Sequence, residues 1–264
     1  MDIATLLGLI LGFGAIIAGQ LLEGGHLNAL LQPTAAVIVL GGTCGATLVS
    51  FPLKVILRAL GDAKTALLHD EEDHVAIIQL IASYANMARR SGLLGLEVEI
   101  DKTEDRFIRK GLTLLVDGTE AMRFKEVMEI EINSFEETSR LNAQVFEAAG
   151  GFAPTIGIIG AVLGLIHVMN NLNDIANLGA GIAVAFVATI YGLMTANLVC
   201  IPIGTKLKQR MKEKILLKEI IFEGFLAILH GDNPRLIIDK LQGFYAATTV
   251  QQPVPREASG AKKE

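Results

Sequence analysis

Four stretches of this 264-residue chain, 3–22, 33–53, 148–169 and 178–203, contain no Asp, Glu, Lys or Arg. An α-helix needs about 20 residues to cross a hydrocarbon layer roughly 30 Å thick, and each stretch is that long. A charge at the centre of such a helix costs roughly 2.5–3.5 kcal/mol, so their absence leaves all four free to enter lipid. The remaining sequence agrees: 51% of residues are hydrophobic, 19% are charged and mean hydropathy is +0.47. That composition excludes an ordinary soluble domain. A formal charge of −5 also gives no nucleic-acid footprint.

Orientation follows from the basic residues flanking the spans. Lys54 and Arg58 follow the second span and "KLKQRMKEK" follows the fourth, while loops 23–32 and 170–177 hold no Lys or Arg. The loops therefore face outward and the basic flanks face the cytoplasm. The N-terminus opens with an aspartate where a secretory signal carries basic residues, so 3–22 is read as a retained span. The chain thus divides into a transmembrane hairpin (1–53), a cytoplasmic helical domain (54–147), a second hairpin (148–203), a cytoplasmic helical segment (204–246) and a disordered tail (247–264). Within the cytoplasmic domain "HVAIIQLIASYANMARR" repeats apolar residues at three- and four-residue spacing, and Gly92, Gly111 and Gly118 are expected to punctuate it into short helices. The fold class is all-α: four transmembrane helices, a helical cytoplasmic domain between spans two and three, and a cytoplasmic C-terminal helix. Cys44 and Cys200 both lie in apolar runs, as small buried residues rather than a disulfide framework.

Small residues recur along the spans. Gly8 and Gly12, Gly41 and Gly45, Gly160 and Gly164, and Gly181, Ala185 and Gly192 lie on close-packing faces, serving either one four-helix unit or a ring of subunits. "FAPTIGIIGAVLGLI" (152–166) adds a proline inside the third span, which frees a backbone carbonyl. The Thr155 hydroxyl either satisfies the helix beside Pro154 or faces a path for a partly dehydrated ion; Thr189 and Tyr191 offer similar hydroxyls in the fourth span, which Pro202 ends. Ion pathways normally place an ionisable group in the membrane, and these spans contain none of the four fully charged types; His167 lies near an outer end. Any ion carried here needs a carboxylate from another polypeptide. The chain has no Walker-type phosphate loop or metal-spaced His/Cys cluster. In "MARRSGLLGLE", Arg89, Arg90 and Glu97 form either a solvated helix end or an electrostatic docking surface.

Taken in order, "MDIATLLGLI", "LGGTCGATLVSFPLK", "ARRSGLLGLE", "KGLTLLVDG", "FAPTIGIIGAVLGLI", "AFVATIYGLMTANL" and "GDNPRLI" resemble the A subunit of the bacterial flagellar stator, the MotA/PomA family within the group that includes TolQ and ExbB. The resemblance covers nearly the whole chain. It implies five A subunits in a ring around two B subunits in the bacterial inner membrane, both A termini cytoplasmic, and a B-subunit aspartate that carries a proton or sodium ion. The B subunit has a single span and a peptidoglycan-binding domain. Ion flow then turns the A ring, and the cytoplasmic loop pushes on the rotor's switch complex. On this resemblance Arg89, Arg90 and Glu97 match rotor contacts, Pro154 and Pro202 match coupling hinges, and Thr155 and Thr189 line the ion route. The family is not enzymatic and its cytoplasmic region depends on no cofactor.

Two other classes compete. TolQ/ExbB-like energisers of an envelope partner typically have three spans rather than four. An autonomous solute transporter usually shows broken or polar helices at the midplane.

Overall fold

A computed structural model describes residues 3–68, 73–170 and 175–250. Among the described residues the chain is helical and contains no strand, and four helices are long and apolar enough to span a membrane: Ala4–Leu22, Leu27–Ser50, Ala121–Asn170 and Gly181–Leu229. The chain divides into two compact units, Met1–Glu71 with Glu137–Met211, and Glu72–Glu136 with Lys212–Glu264.

The first unit opens with α1 (Ile3–Leu22), a short α2 (Leu27–Leu30) and α3 (Pro33–Ala36). Pro33 stands at the start of α3, where its missing N–H costs nothing. A π-helical turn, Val37–Gly41, joins α3 to α4 (Gly42–Ser50). The break that follows is local chemistry. Phe51 precedes Pro52, whose ring disfavours helical geometry in the residue before it, and Phe51 is accordingly extended (φ −132°, ψ 145°). The chain then resumes as α5 (Leu53–Leu68), which buries Ala59, Ala63 and Ala66 on one face. Asp62 on α5 accepts from Asn142 Nδ2 at 2.7 Å.

In the second unit α6 (His74–Ser91) is capped by Asp73, whose carboxylate accepts from the Val75 and Ala76 N–H groups at 2.9 and 3.1 Å. Gly92 (φ 74°) ends it, and a 3₁₀ turn, Leu93–Leu96, leads to α7 (Glu97–Ile100). Asp105 caps α8 (Arg106–Val116) in the same way as Asp73, at 2.7 and 2.9 Å. Gly118 (φ 66°) closes the turn into α9 (Ala121–Asn170). Gly111, expected as a breaker, lies instead inside α8. Its missing side chain admits the Phe225 ring, which a Cβ would overlap, so close packing and not a turn explains this glycine.

The chain continues through α10 (Ile175–Met194), a π turn (Thr195–Cys200), α11 (Ile201–Leu229) and α12 (Pro234–Val250). Residues 251–264, most of the segment expected to be a disordered tail, lie outside the described residues. The second unit's core brings Ile81 of α6, Leu112 of α8, Phe124 and Met128 of α9, Phe225 of α11 and Leu241 of α12 together, all fully buried. Burying each such side chain contributes about 1.5–3 kcal/mol. Phe124 stacks on Phe222 at 6.4 Å and meets Phe225 edge-on at 6.5 Å, while Lys218 Nζ sits 4.2 Å from the centre of the Phe107 ring and 5.0 Å from that of Phe135.

The third and fourth apolar stretches are not free-standing helices. Both run without a break into charged sequence, because residues such as Glu, Lys, Arg and Met favour a helix in water as strongly as apolar ones favour it in lipid. Hydropathy marks where a span ends, not where its helix does.

Candidate functional site

In the first unit, α9 and α10 pack along a seam of small residues. Ala153, Gly157, Gly160 and Gly164 of α9 are buried on one face, and they meet Gly181, Ala185, Ala188 and Gly192 of α10. A Cβ on Gly192 would fall 2.5 Å from the Ala153 carbonyl oxygen, one on Gly157 3.0 Å from the Ala188 carbonyl oxygen, and one on Gly164 2.9 Å from the Ala185 nitrogen. The two backbones touch, and larger residues would force them apart. The pairing therefore lies within one chain for Gly160, Gly164, Gly181, Ala185 and Gly192. Gly12 packs under Leu198, whereas Gly8, Gly41 and Gly45 have open space where a side chain would be. Gly157, on which the seam also depends, was not singled out from the sequence.

The opposite face of α9 is open. Thr155, Ile158, Ile159, Val162 and Ile166 are exposed in one row at helical spacing. The Thr155 Oγ1 donates to the Phe152 carbonyl at 2.8 Å. Pro154 has no N–H to give the Gly150 carbonyl, and the Thr155 hydroxyl does not replace it, since its bond goes to the carbonyl of Phe152 instead. Thr189, half-buried beside the seam, donates to the Ala185 carbonyl at 3.4 Å. Both threonines thus bond their own helix and not each other.

Tyr191 is engaged differently: its hydroxyl donates to the Leu30 carbonyl at 2.6 Å and accepts from the Gln32 N–H at 3.3 Å, tying α10 to the link between α2 and α3. In span two, Thr43 and Thr47 are buried polar residues that sequence reading passed over. Thr47 donates to the Thr43 carbonyl at 2.8 Å.

Pro202 follows the π turn Thr195–Cys200. In an α-helix its ring would crowd the carbonyl four residues back and leave it without a donor. Here the Ile201 N–H reaches back five residues to the Ala196 carbonyl, which widens the helix just ahead of the proline. The widening also sets register. Ala196, Cys200 and Gly204 follow Gly192 at strict four-residue steps, all four are buried, and Gly150 and Glu147 of α9 lie beside Cys200 and Gly204. Lys208 closes the seam's end with an ion pair to Glu147 at 2.6 Å.

In the second unit Arg89 and Arg90 lie exposed in the last turn of α6, where cations complement the helix dipole, and Glu97 is exposed at the start of α7. None of the three forms an ion pair among the described residues. Beneath them burial, with the nearby Glu99 charge, raises the Tyr84 phenol above its ordinary value. Glu219 is also raised, by burial first and then by the neighbouring Glu136 and Glu223. Lys110, 2.6 Å away, hydrogen-bonds Glu131 and lowers it.

A membrane domain with four spans, no Asp, Glu, Lys or Arg in the apolar stretches and an open threonine face is thus joined to a helical unit bearing exposed unpaired charges. Comparison with known proteins settles the family. The profile of the MotA/TolQ/ExbB proton channel family matches residues 99–220 and that of the motility protein A N-terminal region matches residues 6–92. The chain is 36% identical to motility protein A of Bacillus subtilis, across 91% of this chain and 90% of that one. The chain belongs to the MotA/PomA family. A second relative, the chemotaxis protein PomA of Vibrio alginolyticus, is 36% identical over 92% of this chain and 95% of its own. Among solved structures, a chain of Campylobacter jejuni MotAB superposes with a TM-score of 0.88 at 30% identity, covering 98% of this chain and all of that one. The Bacillus subtilis flagellar MotAB stator complex gives a TM-score of 0.84 at 34% identity, over 93% of this chain and 96% of its own. For a MotA/PomA-family chain the four spans fit, and the N-terminal match separates it from a three-span energiser.

Proposed function

We propose that this chain is the A subunit of a flagellar stator: with a B subunit it forms an ion channel that converts ion-motive force into torque for motility. The observation that carries this reading is end-to-end similarity to the MotAB chains, joined to a membrane domain whose spans contain no carboxylate. Such a chain can shape an ion path but cannot carry the ion, so the acid belongs to the partner.

In this reading five A subunits surround two B subunits in the inner membrane, with both A termini cytoplasmic. An aspartate on the single B span carries a proton or sodium ion past Thr155 on the open face and Thr189 beside the seam. Pro154 and Pro202 are the hinges that pass ion binding on to the cytoplasmic unit, whose Arg89, Arg90 and Glu97 meet the rotor switch complex. No cofactor takes part beyond the transported ion, and the activity is transport rather than catalysis. Tyr191 supports the path by fixing α10 against the outer link, its hydroxyl already being spent on two backbone partners.

The test is a flux measurement in liposomes holding the chain alone or the chain with its B partner, paired with complementation of a non-motile strain lacking its own A subunit. Ion current and swimming are expected only with the partner. Current carried by the chain alone would overturn the proposal.

A further inference from the structure

Helices α6 and α12 of the second unit enclose a groove of 360 Å³ that neither the seam nor the proposed torque path uses. Val75, Ile78 and Ala82 of α6, with Ile238 and Tyr245 of α12, supply its apolar wall. Gln79, Ser83, Asn86 and Gln242 add amides and a hydroxyl, and no charged side chain lines it. Two contacts fix its direction. His74 lies against Tyr245 with ring centroids 4.8 Å apart, and Ile81 and Leu241 both crowd the space over Gly224. The helices therefore run antiparallel, with Val75 and Tyr245 at one end of the groove and Asn86 and Ile238 at the other. Between Val75 and Asn86 α6 rises about 16 Å. Ser83 Oγ and Asn86 Nδ2 donate to the Leu80 and Ala82 carbonyls at 2.7 and 2.9 Å, which leaves their oxygens as acceptors. Gln79 and Gln242 have no side-chain partner among the described residues.

An uncharged groove with an apolar wall and free amides suits an extended peptide, whose main chain offers donors and acceptors in equal measure and carries no charge. A partner that docks by charge finds nothing to hold here. The chain's own course supplies the peptide. Helix α12 ends at Val250, five residues past Tyr245, and the sequence continues "QQPVPRE" into residues 251–264, outside the described residues. Pro253 and Pro255 favour the polyproline II form, which loses little entropy on docking and advances about 3.1 Å per residue. Gln251 and Gln252 suffice to turn the chain back at the Tyr245 end, and the five residues from Pro253 to Glu257 then match the groove's length. The tether also holds this segment at a millimolar effective concentration, which a peptide from solution does not have. We propose that the groove between α6 and α12 seats this chain's own residues 253–257, with Pro253, Val254 and Pro255 against the apolar wall and their main chain bonded by Gln79 and Gln242. The seated segment braces α12 against α6.

The experiment follows the rate at which a bulky maleimide labels Ser83→Cys in a Cys44→Ala, Cys200→Ala background, on the full chain purified with its B partner. A matched chain ending at Val250 lacks the segment and alters no described residue. At an effective concentration of about 1 mM, a segment whose Kd is a tenth of that slows labelling roughly tenfold. The full chain should show that protection, the shortened chain should lose it, and a synthetic 251–264 peptide at millimolar concentration should restore it. Pro253→Ser/Pro255→Ser should label as fast as the shortened chain. In a second variant, Gln79→Cys with Val254→Cys, mild oxidation should join the two thiols within one chain. Equal labelling of the full and shortened chains overturns the proposal: a fast rate in both means an empty groove, and a slow rate in both means another occupant. A disulfide between two copies also overturns it, since the groove would then hold a neighbouring subunit's segment.

Discussion

At the scale of single residues, the consequential positions are those where an atom is missing or a proton is out of place. Gly192→Ala puts a methyl 2.5 Å from the Ala153 carbonyl oxygen, a backbone atom that cannot swing aside. Overpacking of this kind costs about 1–3 kcal/mol, so thermal unfolding of the purified complex should begin at lower temperature and swimming should fail. Gly41→Ala, with nothing within 4 Å, should leave the isolated chain's unfolding unchanged. Tyr191→Phe removes one donor and one acceptor from half-buried backbone partners, a loss of about 1 kcal/mol each. It should lower thermal stability while the ion preference of the current stays as in the unmodified complex. Glu219 adds a pH dependence of definite sign. Its folded value is raised, so the native state binds its proton more readily than the unfolded chain does; the penalty is absent below the ordinary carboxylate range, sets in as pH climbs through the folded value, and is complete above it. Glu219→Gln should therefore raise the unfolding temperature at pH 8 and change it little at pH 4.

At the scale of elements, the apolar stretches were plain in the sequence because lipid tolerates no central charge; the caps at Asp73 and Asp105, whose carboxylates accept the orphan N–H groups of a first turn, came only with the structure. The π turns were hidden. One joins α3 to α4 and the other stands just ahead of Pro202, and neither hydropathy nor propensity registers one surplus residue in a helix. Gly111 misled for a related reason: a glycine looks the same in sequence whether it supplies a turn or makes room for a ring from a distant helix. Of the candidate site, the prolines and threonines stood out as exceptions to span composition. The engagement of Tyr191 did not, since its partners Leu30 and Gln32 are backbone groups about 160 residues away. Pro202→Ala restores an N–H but leaves the register constraint between α9 and the turn. The complex should still assemble and bind its partner, while swimming and partner-dependent current fall together; loss of assembly would assign Pro202 a role in packing alone.

At the scale of the whole molecule, the membrane spans supply shape and the helices of the second unit supply charge, so the two kinds of lesion should separate. Arg89→Glu and Glu97→Lys change exposed, unpaired groups, and surface changes of this sort usually alter stability by no more than about 0.5 kcal/mol. Torque should drop while assembly and ion flux persist, as tethered-cell rotation and liposome flux would record, and charge changes on the rotor side should restore it.

The π turn at Thr195–Cys200 inverts the usual tolerance of a helix to changes in length. Elsewhere a one-residue deletion rotates everything downstream by about 100° and scrambles the buried face. Here four-residue steps from Gly192 to Gly204 stay aligned with α9 only because one residue too many is wound into the turn. A deletion inside it would yield a more regular helix and a worse fit: regularity locally, misalignment for Gly204, Leu207 and Lys208 beyond. The irregular turn acts as a vernier, and the chain's length between Gly192 and Gly204 is fixed more tightly than its side chains are.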